Sequence, residues 1–203
     1  MKVDKLIIQS IISTLGAIAI LFAFMVLSLI CFFPSTMMEI TYDLGLDESS
    51  IGYAERAYDW SGDEYFIAYA MEVAVGIKDT EKIDACGEKL IADSEFAQYC
   101  QFKNQSLPEG ITLTYEQYVY GQVCVAKYKN GQKTEAVERA VQLLEGFPKD
   151  NALVAVLYSA LAKGDVATIS SIEVEMLKLN RSGFTQEEKD EFQRVLEIID
   201  QFK

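Results

Sequence analysis

From Leu6 to Phe33 the chain runs 28 residues without a charged side chain, and the next charge is Glu39. About 20 apolar residues cross the hydrocarbon core of a bilayer, so the run predicts a transmembrane helix over residues 6–33. A cleavable signal peptide has an apolar region of about 7–15 residues that ends at small side chains. This run is longer and ends in Leu29-Ile30-Cys31-Phe32-Phe33-Pro34, whose bulk opposes cleavage. Ile30 likewise stands where a lipid-modified Cys31 would want a small neighbour. The reading is an uncleaved signal anchor. Gln9, Ser13 and Gly16 share one face of it, where small and polar residues pack another transmembrane helix or are simply tolerated.

Beyond the span the apolar positions recur with a helical period, and β-branched alternation is scarce. Phe192, Val195, Leu196, Ile199 and Phe202 form one stripe, with Glu187, Glu188, Asp190, Glu191, Arg194, Glu197 and Asp200 on the wet side. Thr185 followed by Glu188 marks the start of that helix. Upstream, short turns separate helical patterns at Ser61-Gly62-Asp63, Asn130-Gly131-Gln132 and Lys163-Gly164-Asp165, where a glycine ends one helix in the left-handed conformation. Gly131 and Gly164 are 33 residues apart and Gly62 and Gly131 are 69, so a further junction is expected near Asp93-Ser94. A period near 34 residues points to stacked helical hairpins. The expected organisation is a stub at 1–5, the anchor at 6–33, a juxtamembrane linker at 34–46, hairpin repeats at 47–180 and a closing helix at 181–203.

The stretch Gln117–Pro148 carries an aromatic at Tyr120, a small residue at Cys124, the turn Gly131, then Ala136, and Pro148 at its end. It resembles a tetratricopeptide repeat. The following unit keeps Leu153, Leu157, Ala160 and Gly164, and the first keeps Tyr58, Gly62 and Ala68. The resemblance implies an all-α fold: one transmembrane helix, then stacked antiparallel hairpins forming an α-solenoid with a C-terminal capping helix whose outer face is polar. In such arrays the first helix of each pair lines a concave ligand surface. Reading faces from the proposed turns puts Arg56, Trp60, Glu88, Tyr118, Val125, Tyr128, Lys129, Asn151, Val154 and Tyr158 on that side. Helical spacing marks inter-helix packing as readily as a groove, and substitution separates the two.

Composition narrows the function further. The chain has 18 Lys and Arg against 31 Asp and Glu and carries a formal charge of −13, which argues against a nucleic-acid partner. With no histidine there is no Ser-His-Asp triad, Cys-His pair or imidazole-ligated zinc. No phosphate loop, Ser-x-x-Lys pair or calcium loop occurs, and the acidic stretches read as solvated helix ends. No enzyme, metal, cofactor or small-molecule substrate is expected. Lys2 and Lys5 precede the span, whereas Glu39, Asp43, Asp47 and Glu48 follow it with no cation before Arg56. The basic flank keeps the N-terminus cytoplasmic and directs the body outside.

Cys31 falls in or beside the membrane, and Cys86 and Cys100 are each seven residues from the expected turn at Asp93. Facing one another across a hairpin, they either form a disulfide in an oxidising compartment or pack as buried thiols. The functional expectation is a membrane-tethered, extracytoplasmic protein–protein interaction module. It would bind a peptide or membrane-associated envelope protein as an assembly factor or chaperone-like adaptor. The alternative is a structural subunit of a membrane complex, specified by its transmembrane helix.

Overall fold

The computed structural model describes residues 2–108 and 111–202. Among them are eleven α-helices and no strand. The chain divides into two compact units, the first ending at Gly62 and the second starting at Asp63.

In the first unit, α1 (Lys2–Phe32) contains an uncharged, predominantly apolar stretch of 26 residues, Ile7–Phe32, none of it buried. It is long and apolar enough to cross a membrane. α2 (Pro34–Asp43) occupies most of the segment expected to be a linker. Pro34 begins this helix rather than breaking one, because at the first helical position its missing N–H would have had no partner. α3 (Asp47–Ser61) packs against α2. Met38, Ile51, Ala54 and Ala57 are buried, and Ser50 Oγ donates to the Met38 carbonyl at 3.1 Å. Arg56 reaches from α3 to the C-terminal end of α1, donating to the carbonyls of Ile30 at 3.2 Å and Cys31 at 3.4 Å. Those carbonyls belong to the last turn of a helix, which lacks intrahelical donors and attracts cations. Gly62, at φ +68°, ends α3 as the sequence led one to expect.

The second unit contains α4 (Glu64–Ile77), α5 (Thr80–Ile91), α6 (Phe96–Gln105), α7 (Tyr115–Lys129), α8 (Lys133–Gln142), α9 (Ala152–Lys163), α10 (Val166–Lys178) and α11 (Gln186–Phe202). Its helix starts are written in short polar side chains. Asp63, Asp79, Asn151 and Asp165 each accept from a backbone N–H in the first turn, and Thr114 with Gln117 forms a capping box. Gly131 (φ +87°) and Gly164 (φ +64°) lie at the expected junctions. An unforeseen junction falls at Lys78, whose φ of +63° makes it the one non-glycine residue in the left-handed region among the described residues.

That junction changes the pairing. α4 packs with α5, while α6 lies on α7 and α4. α5 in turn packs on α7, which also packs on α8 and α9; α10 packs on both α8 and α9. Gly87 lets α5 approach α7 closely, since a Cβ there would overlap the Val123 side chain. The main core gathers Tyr128, Phe147, Leu153, Leu157, Ile169, Ile172, Met176 and Ile199, each under 2% exposed. Each fully buried aliphatic side chain contributes about 1.5–3 kcal/mol.

The closing helix α11 follows its sequence pattern. Phe192, Val195 and Ile199 are buried, whereas Phe202 is exposed. Glu188 closes its first turn, accepting from the Thr185 N–H at 2.7 Å, while Thr185 Oγ1 accepts from the Glu188 N–H at 3.2 Å. The same carboxylate accepts from the Phe147 N–H at 2.8 Å and so ties α11 to the loop before α9. These backbone donors hold the Glu188 carboxyl below its ordinary pKa.

Candidate functional site

Two stripes of side chains run beside each other on α7 and α9. On α7, Tyr118, Gly121, Gln122 and Val125 follow the spacing i, i+3, i+4, i+7; on α9, Asn151, Val154, Ala155 and Tyr158 repeat it. Between them lies a groove of about 270 Å³. The floor is narrow because its residues are small: a Cβ on Gly121 would stand 3.7 Å from that of Ala155, an ordinary contact. Asn151 serves two purposes. It caps α9 by accepting from the Val154 N–H at 3.0 Å, and its amide donates to the Pro148 carbonyl at 2.7 Å. Tyr158 stands on the rim, 47% exposed, with its hydroxyl accepting from Arg194 at 3.3 Å. Burial raises the pKa of the half-buried Tyr118 phenol, reinforced by the Glu72 carboxylate, so it remains a neutral donor.

A wider cleft of about 700 Å³ shares Gln117 and Asp150 with the groove. Its walls carry Glu187, Glu188, Asp190 and Glu191 of α11 against Lys149 and Arg194, so its field is predominantly negative. Lys129, exposed, lies on the α7 stripe one turn beyond Val125. The groove is thus partly apolar, with polar amides along it, and has charges of opposite sign towards its two ends.

Five of the ten residues named from the sequence therefore meet in this groove: Tyr118, Val125, Asn151, Val154 and Tyr158. The other five are placed elsewhere or at its end. Arg56 and Trp60 lie on α3 in the first unit, and Lys129 extends the α7 stripe. Glu88 faces a separate polar recess, engaged by both Arg139 (2.6 and 3.0 Å) and Lys127 (3.3 Å). Lys127 also binds Asp84 at 2.7 Å. Tyr128 is a core residue at 1% exposure. Gln117, Gln122 and Gly121 line the groove without having been named, and their signal was the same stripe spacing on α7.

Cys86 on α5 and Cys100 on α6 are both buried and are not bonded to each other. Of the two alternatives the sequence left open, the structure has the packed thiols, with α6 on α7 and α4 rather than along α5. Burial pushes the Cys100 thiol up to about 12. Among the described residues, no three acidic or cysteine side chains converge to hold a metal ion.

One electrostatic feature is structural. Asp165 caps α10 and accepts from Lys133 at 2.7 Å, Thr168 Oγ1 at 2.9 Å and the Tyr128 hydroxyl at 3.1 Å. The Lys133 bond leads in holding its carboxyl down to about 2, with Thr168 and Tyr128 adding to it. A depressed carboxyl contributes stability at neutral pH that is lost as pH falls from about 4 towards 2. The thermal midpoint should fall more steeply across that window in the parent than in Asp165→Asn. Parallel curves for the two proteins would refute the role. Comparison with family models, curated proteins and solved structures finds no match to this chain.

Proposed function

We propose that the chain is a single-pass membrane protein with a cytoplasmic N-terminus, whose helical domain works outside the cytoplasm as a binding module without catalytic activity. Its α7–α9 groove receives an extended segment of a membrane-associated protein. The observation that carries this reading is the convergence of Tyr118, Val125, Val154 and Tyr158 on one narrow, partly apolar trough. Tyrosines offer broad contact area with few rotamers to freeze. The acidic cleft at one end and Lys129 at the other favour a segment with a basic residue on one side of its apolar residues and a carboxylate on the other. The tetratricopeptide-like reading is supported by the order of packing in α7–α10, where α7 packs on α8 and α9, and α8 on α9 and α10. The anchor raises the effective concentration of a modest groove near its partner.

A cysteine at Gln122, on the groove, tests both parts when a membrane-impermeant thiol-reactive photocrosslinker is applied to intact cells. It should capture a membrane-associated protein, whereas a cysteine at the exposed Ser171 of α10 should not. Val125→Glu should abolish that capture. Labelling only after permeabilisation would overturn the orientation, and equal capture from both positions would overturn the groove. An unrelated apolar anchor should leave capture intact. Loss of capture on that exchange would favour a subunit specified by α1.

A further inference from the structure

Arg56 and Trp60, absent from the groove, stand on one face of α3 with Tyr53, at spacings of three and four residues. This face is fixed relative to α1, because Arg56 donates to the carbonyls of Ile30 and Cys31 and lies 5.9 Å from the Tyr53 ring centroid. The 26 apolar residues of Ile7–Phe32 extend about 39 Å at the helical rise, against a hydrocarbon core of about 30 Å. The last turn of α1 therefore reaches the headgroup layer, and the bound guanidinium lies at that depth. Trp60 is 59% exposed. Beside the exit of the span, Phe33, Ile40 and Leu44 form a second exposed apolar stripe, at spacings of seven and four residues along α2.

We infer that the first unit seats the Tyr53–Arg56–Trp60 face in the headgroup layer of the bilayer that α1 spans, with zwitterionic phospholipid as its ligand. The inference rests on α1 being a membrane span. Tryptophan and tyrosine favour this layer because an apolar ring and a polar edge are both accommodated there. Arginine keeps its charge among phosphates while its stem lies along apolar surface. Arg56 is the only Lys or Arg from residue 6 to residue 77, whereas residues 34–62 hold six carboxylates. An anionic surface would repel such a segment. A zwitterionic headgroup instead offers a phosphate to Arg56 and an ammonium to the acids around it.

Trp60 is the chain's single tryptophan, so its emission reports this face alone. With the full chain reconstituted in phosphatidylcholine vesicles, emission should be blue-shifted and protected from iodide. Lipids brominated near the glycerol should quench it more than lipids brominated near the chain end. Arg56→Ala should still float with the vesicles but lose much of that quenching; undiminished quenching would remove Arg56 from the seat. A chain that floats while Trp60 stays open to iodide and untouched by brominated lipid would overturn the seat and leave the span intact. Protection from iodide without lipid quenching would overturn it too, in favour of a protein partner on that face. Failure to float would overturn both span and seat.

Discussion

Tyr128→Ala should destabilise this protein steeply, by about 3–5 kcal/mol of unfolding free energy on the scale of aromatic truncations in packed cores. The ring is 1% exposed at the centre of the main core, and the Lys163 ammonium stands 4.9 Å from its centroid. Its hydroxyl donates to Asp165, the cap of α10, so truncation leaves a cavity and also withdraws a donor from that cap. Tyr128→Phe separates these losses. It keeps the ring, and Asp165 retains Lys133 and Thr168, so the cost should be about 1 kcal/mol. Lys129→Ala on the neighbouring exposed position should cost under about 0.5 kcal/mol. Urea unfolding of the three variants checks the order, and a Tyr128→Ala protein as stable as the parent would remove this residue from the core.

Gly87→Leu should be comparably damaging, although glycine inside a helix is ordinarily a weakness. On an exposed helix, replacing it with alanine gains about 0.5–1 kcal/mol. Here the sign reverses, because the first added carbon meets the Val123 side chain, with Met71 Sδ only 3.4 Å away. Overpacking of this kind costs about 1–3 kcal/mol, so Gly87→Ala should already destabilise and Gly87→Leu more so. The diagnostic is the coupling with Val123→Ala. That variant alone leaves a cavity, yet combined with Gly87→Ala it should recover part of the loss, a non-additivity expected only of residues in contact. A stabilised Gly87→Ala protein would show that α5 and α7 are not so close.

The long apolar helix, the helical class, three glycine junctions and the Thr185–Glu188 start were legible because each depends on a local rule. The pairing of α4 with α5 was not, since its junction uses Lys78, and no local rule marks a lysine for the left-handed region. α2 escaped for a similar reason: a proline after an apolar run reads as a stop, and only the packing of Met38 and Pro34 makes it a start. α7 shows the limit for the site. With α5, α6, α8 and α9 all packed around it, it is apolar on most faces. Spacing therefore grouped Tyr128 with Tyr118 and Val125, although Tyr128 points into the core and the other two face the groove. The α9 stripe was easier to read because Asn151 announces both the helix start and the groove's end.

The three cysteines of the second unit have a consequence for how this protein is made. Cys100 and Cys124 are both pushed up to about 12 by burial, and Cys86 is wholly enclosed. Thiols raised this far are almost wholly protonated at neutral pH, and only the ionised form attacks a disulfide. Once folded, the domain shields these thiols from thiol–disulfide exchange. Sulfur chemistry can reach these buried thiols readily only while the chain is still open, so the speed of folding sets their exposure to mispairing.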